Sequence, residues 1–270
     1  MREGGRRAAE IEVNGVRTFW SERGSGDPLV LVHGLGGTGE GIFKHLLAPL
    51  SARHRVITYD LRGSGRSSVT PGPYTVELLA ADLDALLTAL GLDGVTLVGH
   101  SLGGGIVLEH AATRPERVGA VVGIGAVTGL PEQGKEGMEA RAQTVERQGM
   151  AAVAETVATN GLAPSFREEH PQELRALAAL IESNDAAGYA AQCRALVAMD
   201  VTSRLSEVRC AVLLVCGEKD QASPPAANGA NAALIPNARI VELPDTAHII
   251  PWEKPDALLA ELTGFLGTAG

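Results

Sequence analysis

The sequence has few cysteines and no long apolar run. Only three cysteines stand among 270 residues, and Cys210 and Cys216 are six positions apart in one predicted strand. An extended strand would separate them by roughly 20 Å, which is too far for a disulfide. No apolar segment approaches the roughly 18–20 residues of a membrane span, and the first ten residues, MREGGRRAAE, lack the apolar region of a secretory signal. Reduced thiols in a cytoplasmic protein are therefore expected.

Positive charge is also scarce. There are 23 lysines and arginines against 32 aspartates and glutamates, which gives a net charge of −9. Such an acidic chain is a poor candidate for binding nucleic acid or anionic membranes. The arginines near the N-terminus, Arg2, Arg6 and Arg7, are too few to alter this and are expected to lie in a frayed tail. No cysteine–histidine cluster has the spacing of a zinc site, so no metal is expected.

What the sequence does have is a regular alternation of buried strands and helices. One strand is predicted before and one after Asn14-Gly15, the favoured dipeptide of a two-residue hairpin turn. Short apolar runs follow at 29–33, 55–60, 95–100, 118–126, 211–217 and 238–243. Segments with apolar residues at helical spacing occur at 75–92, 102–112 and 254–266. This alternation is typical of an α/β fold with a parallel sheet and helices on both faces.

One long stretch interrupts the alternation. From about 130 to 205 there is no convincing strand, and the composition is rich in alanine and glutamate. Helical blocks are predicted there at 135–149, 150–160, 171–182 and 185–198. We therefore expect residues 1–129 and 206–270 to form one core domain, with residues 130–205 as a helical insertion between two strands.

A serine between two glycines stands at the end of a predicted strand. Ser101 lies in the sequence GHSLG, with the strand VTLV before it and a helical pattern after it. This is the pattern of a nucleophile elbow, a sharp turn that exposes a reactive serine. At Gly99 and Gly103 a side chain would collide with neighbouring backbone, and Gly104 and Gly105 are expected to allow close packing of the helix. The alternative is an ordinary serine in a glycine-rich loop.

A serine nucleophile needs a general base, and the sequence offers seven histidines. His248 follows the last predicted strand in the loop sequence LPDTAHIIPWEKP, and catalytic groups gather at the carboxyl ends of parallel strands. It is the predicted base. His100 is adjacent to the serine, so its side chain is expected to diverge from it, and His33 is expected to brace the glycine loop that follows it. The others are expected to be surface or packing residues: His45, His54, His110 and His170.

The base in turn needs an acid that fixes its tautomer. The sequence GEKD ends a predicted strand, and its last residue, Asp220, is the predicted acid. Glu218 is the local alternative, although it directly follows the glycine and is expected to point away. Asp245 is expected to form a turn. The chain order Ser101, Asp220, His248 is the order expected of this type of elbow.

Acyl transfer also requires backbone donors for the oxyanion that develops in the transition state. One is expected to be the N–H of Leu102, which directly follows the serine at the start of a helix. The second is expected from the loop at 32–41, VHGLGGTGEG, where the N–H of Leu35 follows Gly34. The two donors and the serine would then surround one carbonyl oxygen.

The same loop also satisfies a different motif. Residues 34–39 fit the G-x-G-x-x-G fingerprint of dinucleotide-binding proteins, and Asp60 ends a strand about 20 residues later. An NAD(P)-dependent oxidoreductase would leave Ser101 and the late aspartate and histidine unexplained. Asp60 is instead expected to accept from local backbone N–H groups or from Arg62. The sequence therefore predicts no cofactor.

The combination of these motifs resembles the α/β-hydrolase superfamily. The segments HGLGG, YDLRGSGRSS, GHSLGG, GEKD and AHIIPWEKP occur in this order, and the match covers nearly the whole chain outside the insertion. The resemblance implies an eight-stranded, mostly parallel sheet whose second strand is antiparallel, with a helical cap at about 130–205. It also implies a Ser101–His248–Asp220 triad. Residues 188–225 are similar to the cap exit of 3-oxoadipate enol-lactonase-like members.

The expected function is a cofactor-free serine hydrolase of a small carboxylic ester or lactone, an enol-lactone first of all. Carbon–carbon bond hydrolysis, perhydrolysis and acyl transfer are alternatives on the same triad, and a non-catalytic ligand receptor is an alternative of another class. A serine in place of an aspartate nucleophile excludes dehalogenase and epoxide-hydrolase chemistry. The expected partner is a small molecule, bound by a monomer or homodimer. The few aromatic residues of the insertion, mainly Phe166 and Tyr189, do not locate its contacts.

Overall fold

The computed structural model describes residues 5–267. Its strands alternate with helices, as the apolar runs indicate. The strands are β1 (Arg7–Val13), β2 (Val16–Arg23), β3 (Pro28–Val32), β4 (Arg55–Tyr59), β5 (Val95–His100), β6 (Val118–Ile124), β7 (Ala211–Gly217) and β8 (Ala238–Leu243). The helices are α1 (Gly39–Ile42), α2 (Leu47–Ser51), α3 (Val76–Ala89), α4 (Leu102–Thr113), α5 (Glu132–Gln148), α6 (Ala154–Gly161), α7 (Pro164–Glu169), α8 (Pro171–Glu182), α9 (Ala186–Ala198), α10 (Pro225–Leu234), α11 (Ile250–Glu253) and α12 (Pro255–Leu266).

Within the described residues, the strands form one eight-stranded sheet in the order β1-β2-β4-β3-β5-β6-β7-β8. β2 is antiparallel to both β1 and β4, and the remaining neighbours are parallel. The hairpin predicted at Asn14-Gly15 is present: Val13 pairs with Val16, and both turn residues have positive φ (46° and 71°). The predicted fold class is confirmed.

The parallel strands bury both of their faces because helices cover both sides of the sheet. Val30 and Val32 of β3 face a core formed with α3 and α4, whereas Leu29 and Leu31 face a second core formed with α2 and α12. This alternation follows from the two-residue period of a strand. The carboxyl ends of β3, β5, β7 and β8 therefore emerge along one edge of a rigid, fully packed layer.

The N-terminal arginines do not lie in a frayed tail, so that expectation is wrong for two of them. Arg7 begins β1, and the Arg6 guanidinium donates two hydrogen bonds of 2.8 Å to the carboxylate of Glu40. Burial opposes the charge of Glu40, but hydrogen bonds from Arg6, Arg23, Ser21 and Arg66 lower its pKa to about 2. Arg2 lies outside the described residues.

Helices α5–α9 lie between β6 and β7 and form what we call the helical insertion. Its ends are held together, because Gly129 and Asp200 form an isolated β-bridge and Val201 donates from its N–H to the Thr128 carbonyl at 2.8 Å. A short 3-10 helix (Thr202–Glu207) then returns to α4. Across residues 5–267, no helix is long and apolar enough to cross a membrane.

Candidate active site

The backbone at Ser101 is strained. Its φ of 56° and ψ of −117° lie in a region that non-glycine residues rarely adopt. The surrounding hydrogen bonds hold it there: the Ser101 N–H donates to the Ile124 carbonyl at 2.9 Å, and its carbonyl accepts from the N–H of Val127 at 3.1 Å. The serine thus stands between the end of β5 and the start of α4, which is the geometry of the predicted elbow.

The glycines around Ser101 are required by close backbone contacts. A Cβ at Gly99 would lie 2.2 Å from the Gly103 carbonyl oxygen, and one at Gly103 would lie 2.1 Å from the Val32 carbonyl oxygen. Further along the helix, a Cβ at Gly104 would meet Ala126 at 2.6 Å. The elbow therefore packs directly on β3 and on the segment after β6, with no room for a methyl group.

Ser101, His248 and Asp220 form a continuous hydrogen-bonded chain. The Ser101 hydroxyl lies 2.8 Å from His248 Nε2, and His248 Nδ1 lies 2.7 Å from Asp220 Oδ2. The other carboxylate oxygen of Asp220 accepts from the backbone N–H groups of Ala222 and Ser223 at 2.8 and 2.9 Å. The carboxylate is therefore oriented on both sides, and the histidine between it and the serine has one defined position.

The two alternative acids, Glu218 and Asp245, do not take part in this series of hydrogen bonds. Glu218 is exposed and accepts from the Asp245 backbone N–H at 2.8 Å, so it points away from His248 as expected. Asp245 has a positive φ of 49° and forms an ion pair with Lys219. Both carboxylates thus stabilise the turn before His248.

The glycine loop after β3 lies directly against Ser101. A Cβ at Gly34 would lie 2.7 Å from the Ser101 Cβ. His33 braces this loop, since its Nδ1 lies 2.7 Å from the Gly34 carbonyl oxygen and its Nε2 accepts from the Leu61 N–H at 2.9 Å. Leu35 follows Gly34 in this loop, and Leu102 begins α4 directly after the serine. The first N–H groups of a helix lack intrahelical acceptors.

Comparison with known proteins shows the family of this architecture. A family model described as the alpha/beta hydrolase fold matches residues 27–255. The chain belongs to the α/β-hydrolase family. A 3-oxoadipate enol-lactonase of Acinetobacter baylyi is 31% identical over 221 residues, which are 82% of each chain.

Solved structures of α/β-hydrolase enzymes agree with this assignment. An enol-lactonase from Burkholderia xenovorans superposes with a TM-score of 0.91 at 29% identity, over 96% of this chain and all of its own. A thermophilic esterase from Thermogutta terrifontis, with malate bound, has the same TM-score at 28% identity, over 97% of this chain and 99% of its own. The predicted resemblance is confirmed.

The environment of this α/β-hydrolase site favours an ion pair between His248 and Asp220. Burial opposes the positive charge of His248, but the Asp220 carboxylate outweighs burial and raises the pKa of His248. Burial likewise opposes the negative charge of Asp220, yet His248 and the nearby N–H groups lower its pKa. A protonated imidazole at His248 is thus stabilised by its surroundings.

The other histidines are held away from the serine hydroxyl. His100 Nε2 lies 2.9 Å from the carbonyl oxygen of His248, and burial, with the charge of His248, lowers the pKa of His100 to about 3. His110 is buried and serves packing, while the remaining three are partly exposed or exposed: His45, His54 and His170. Among residues 5–267, no group of three His, Cys, Asp or Glu side chains is placed to hold a metal ion.

The dinucleotide motif is used for packing. Asp60 accepts from the backbone N–H groups of Gly39 and Arg66, each at 2.9 Å, so both of its carboxylate oxygens are occupied. Arg62, the other expected partner, instead binds the buried carboxylate of Asp82. A Cβ at Gly39 would lie 2.6 Å from the Tyr59 carbonyl oxygen, so this part of the loop packs on β4.

Sequence reasoning did not find which residues of the helical insertion contact the glycine loop. An apolar cluster joins Leu35 and Ile249 of the core to Ile181 and Tyr189 of the helical insertion, and Tyr189 is 1% exposed. Its ring lies over Gly36, since a Cβ there would be 3.1 Å from Tyr189. The spacing of apolar residues in α8 and α9 indicated only that each helix has a buried face. It does not show which other segment that face packs against.

The close contact at Gly103 gives a matched pair of glycine substitutions. Gly103→Ala is expected to destabilise the protein by about 1–3 kcal/mol or more, because the new methyl group meets fixed backbone. Gly229→Ala, in the open interior of α10, is expected to stabilise it by about 0.5–1 kcal/mol. Urea unfolding of both variants measures the difference, and equal effects would contradict the packing described for the elbow.

Proposed function

We propose that this α/β-hydrolase is a serine hydrolase of small carboxylic esters or lactones. The observation that carries the proposal is the chain of hydrogen bonds from Asp220 through His248 to Ser101, at 2.7 and 2.8 Å. A nucleophile, a base and an orienting acid within hydrogen-bond reach of one another are the signature of covalent acyl transfer.

In the first half-reaction, the Ser101 oxygen attacks the carbonyl carbon while its proton passes to His248 Nε2. The electron pair of the carbonyl moves to oxygen, and this oxyanion accepts from the N–H groups of Leu35 and Leu102. The tetrahedral intermediate collapses, the ester oxygen leaves with the proton from His248, and an acyl-enzyme remains. Water then attacks with His248 again as base, which releases the acid and restores Ser101.

The contacts of the helical insertion with the core support its role as a cap over this site. Ser101 is 8% exposed, and the apolar cluster contributed by α6, α8 and α9 includes Leu35 of the glycine loop and Ile249, which follows His248. We assign residues 130–205 to the cap and the rest of the chain to the core. Exclusion of water by such a cap would strengthen the hydrogen bonds to the oxyanion.

An arginine in the cap favours a substrate that carries a carboxylate. Burial is the main cause that raises the pKa of Tyr189 to about 12, and the nearby Arg141 guanidinium opposes it. Two carboxylates near it, those of Glu139 and Glu146, are bound by Arg194, and none of the ion pairs formed by residues 5–267 includes Arg141. A cation without a carboxylate partner, next to the aromatic ring above the glycine loop, suits an anionic group of the substrate.

The named relatives support the same substrate class. The curated relative and one structural neighbour are enol-lactonases, and the Thermogutta esterase is described with malate, a dicarboxylic acid, bound. A lactone or ester of an acid with a second carboxylate is therefore the substrate we propose. An enol-lactone is the first candidate.

Arg141→Met is expected to raise KM for carboxylate-bearing esters and lactones by about 10- to 100-fold, because a charge-assisted hydrogen bond is worth about 1.5–3 kcal/mol. KM for a neutral ester such as p-nitrophenyl acetate is expected to change less than about twofold. Arg147→Met, on the exposed side of the same helix, is the control. Equal effects of Arg141→Met on charged and neutral substrates would contradict this assignment.

A fluorophosphonate probe tests the proposed function directly. Ser101 is expected to displace fluoride and carry the phosphonyl group, which intact-protein and peptide mass spectrometry detect. Turnover is then measured on p-nitrophenyl esters of increasing chain length and on a lactone panel. A folded protein without an adduct would instead support a ligand receptor, and turnover confined to vinylogous diketones or to peroxide with acid would assign another reaction to the same triad.

The thiols support a reducing compartment, the cytoplasm, as the place of action. All three cysteines are free, and burial raises the pKa of the Cys193 thiol to about 12 and those of Cys210 and Cys216 to about 11. Thiols that hold their protons this strongly are poor nucleophiles at neutral pH. They therefore serve packing and do not compete with Ser101.

A further inference from the structure

Glu253, at the end of α11, is a buried carboxylate without an ion-pair partner among the described residues. It is 5% exposed, and its Oε2 accepts from the backbone N–H of Ala163 at 2.8 Å. Both of its oxygens lie 3.1 Å from the N–H of Ala247. One carboxylate thus joins a residue of the helical insertion to the residue directly before His248.

The next two residues of the histidine loop (residues 244–249) are tied to the same part of the insertion. The N–H groups of His248 and Ile249 both donate to the Gly161 carbonyl, each at 3.0 Å. Three successive N–H groups of the loop, those of residues 247, 248 and 249, therefore bind either Gly161 or Glu253. The backbone of His248 is positioned by this junction, formed by residues 161–163, residues 247–249 and Glu253.

A carboxylate is kept in this junction against an energetic cost. Burial disfavours a charge that has no partner of opposite sign, and burial is the main cause that raises the pKa of Glu253. Two N–H groups aim at it, and a carboxylate can accept from both without presenting a donor of its own. Its charge also acts on His248, since Glu253 favours the protonated imidazole.

We propose that Glu253 is a positioning residue that couples the seating of the cap to the placement of His248. When residues 161–163 leave the core, the N–H groups of the histidine loop lose their acceptors, and the imidazole is no longer fixed between Ser101 and Asp220. The triad is therefore complete only when the cap is seated. This inference rests on the proposed hydrolase function for its kinetic part alone.

The kinetic test is Glu253→Gln, a nearly isosteric change that removes the charge and replaces one acceptor by a donor. We expect kcat to fall by about 10- to 100-fold, because displacing a catalytic group by about 1 Å can lower the rate about 10²-fold. KM is expected to change less than about threefold. The acid limb of the kcat/KM profile is expected to move to lower pH, since one negative charge near His248 is lost. Besides His248, the charges of Asp220 and Lys219 also act on Glu253.

Matched variants separate this role from simple destabilisation. Glu261→Gln makes the same chemical change on α12, where Glu261 faces the exposed Arg239, and is expected to leave kcat and the pH profile unchanged. Glu253→Asp keeps the charge but shortens the side chain, so it should lower kcat and retain the acid limb of the wild type. An unshifted acid limb and unchanged kcat in Glu253→Gln would overturn the proposal.

Hydrogen–deuterium exchange tests the coupling without any turnover. In Glu253→Gln, the amides of residues 161–163 and 247–249 are expected to lose protection together, by at least about tenfold in exchange rate, also in a Ser101→Ala background. Loss at one segment alone would overturn the coupling. If the wild type hydrolyses nothing while Glu253→Gln shows the paired loss of protection, the hydrolase function is contradicted and the coupling remains supported.

Discussion

Replacing Ser101 by alanine is expected to lower kcat for ester or lactone hydrolysis by about 10⁴- to 10⁶-fold. In the proposed mechanism the Ser101 hydroxyl oxygen forms the bond to the acyl group, and removal of a triad nucleophile in another enzyme costs about 10⁶ in kcat. Some residual hydrolysis should persist, because the variant retains the proposed oxyanion donors, the N–H groups of Leu35 and Leu102, and the proposed base His248. The measurement is steady-state hydrolysis of the best substrate, followed to long times at high enzyme concentration.

The fold is expected to survive this substitution. Alanine at position 101 removes one hydrogen bond to His248 and leaves the backbone bonds of the elbow intact, so the unfolding temperature should change by less than about 2–4 °C. Ser183→Ala, at an exposed position after α8, is the matched control and should keep full activity. Wild-type rates in Ser101→Ala would show that another group is the nucleophile.

Asp220→Asn is expected to reduce kcat by about 10⁴-fold, because an amide holds the imidazole of His248 in the wrong tautomer. The pH profile should change as well. In the wild type, Asp220 raises the pKa of His248 above its ordinary value of 6.5. The proposed mechanism needs a neutral imidazole as base, so activity is expected to rise with pH as His248 loses its proton, above pH 6.5. Without the carboxylate the pKa falls, so the acid limb of kcat/KM should move to lower pH.

Glu218→Gln is the control for this prediction, since it removes a carboxylate two residues away. Glu218 is exposed and contacts the turn at Asp245 rather than His248, so a change in kcat of less than about threefold is expected. Both variants are measured from pH 5 to pH 9 on one substrate. If Glu218→Gln were the more damaging change, the acid of the triad would be Glu218 and the geometry at Asp220 would need another explanation.

The parts of the site that could be predicted from the sequence are those set by local patterns. β5, β7 and β8 end where their apolar runs end. Because these strands are parallel, the residues that follow them, Ser101, Asp220 and His248, come to the same edge of the sheet. The hairpin turn at Asn14-Gly15 is likewise a two-residue property. In each case the deciding interactions lie within a few residues of the feature.

The parts that could not be predicted depend on contacts between distant segments. Arg6 has a defined position because it binds Glu40, which is 34 positions away and accepts hydrogen bonds from several arginines. α7 has six residues, which are too few for a periodic pattern to show, and both it and the following α8 begin with a proline. The docking of Gly161 on the histidine loop spans almost 90 positions, and apolar spacing tells which side of a helix is buried but not against what.

The β-bridge between Gly129 and Asp200 gives the helical insertion the character of an exchangeable module. Entry and exit lie side by side, so a different helical segment with the same end separation can replace it without shifting any strand. Selection for a new substrate can thus act on the insertion while the sheet keeps its chemistry. One requirement limits such a replacement. It has to supply a carbonyl that accepts from the histidine loop, as Gly161 does, and an N–H that donates to Glu253, as Ala163 does.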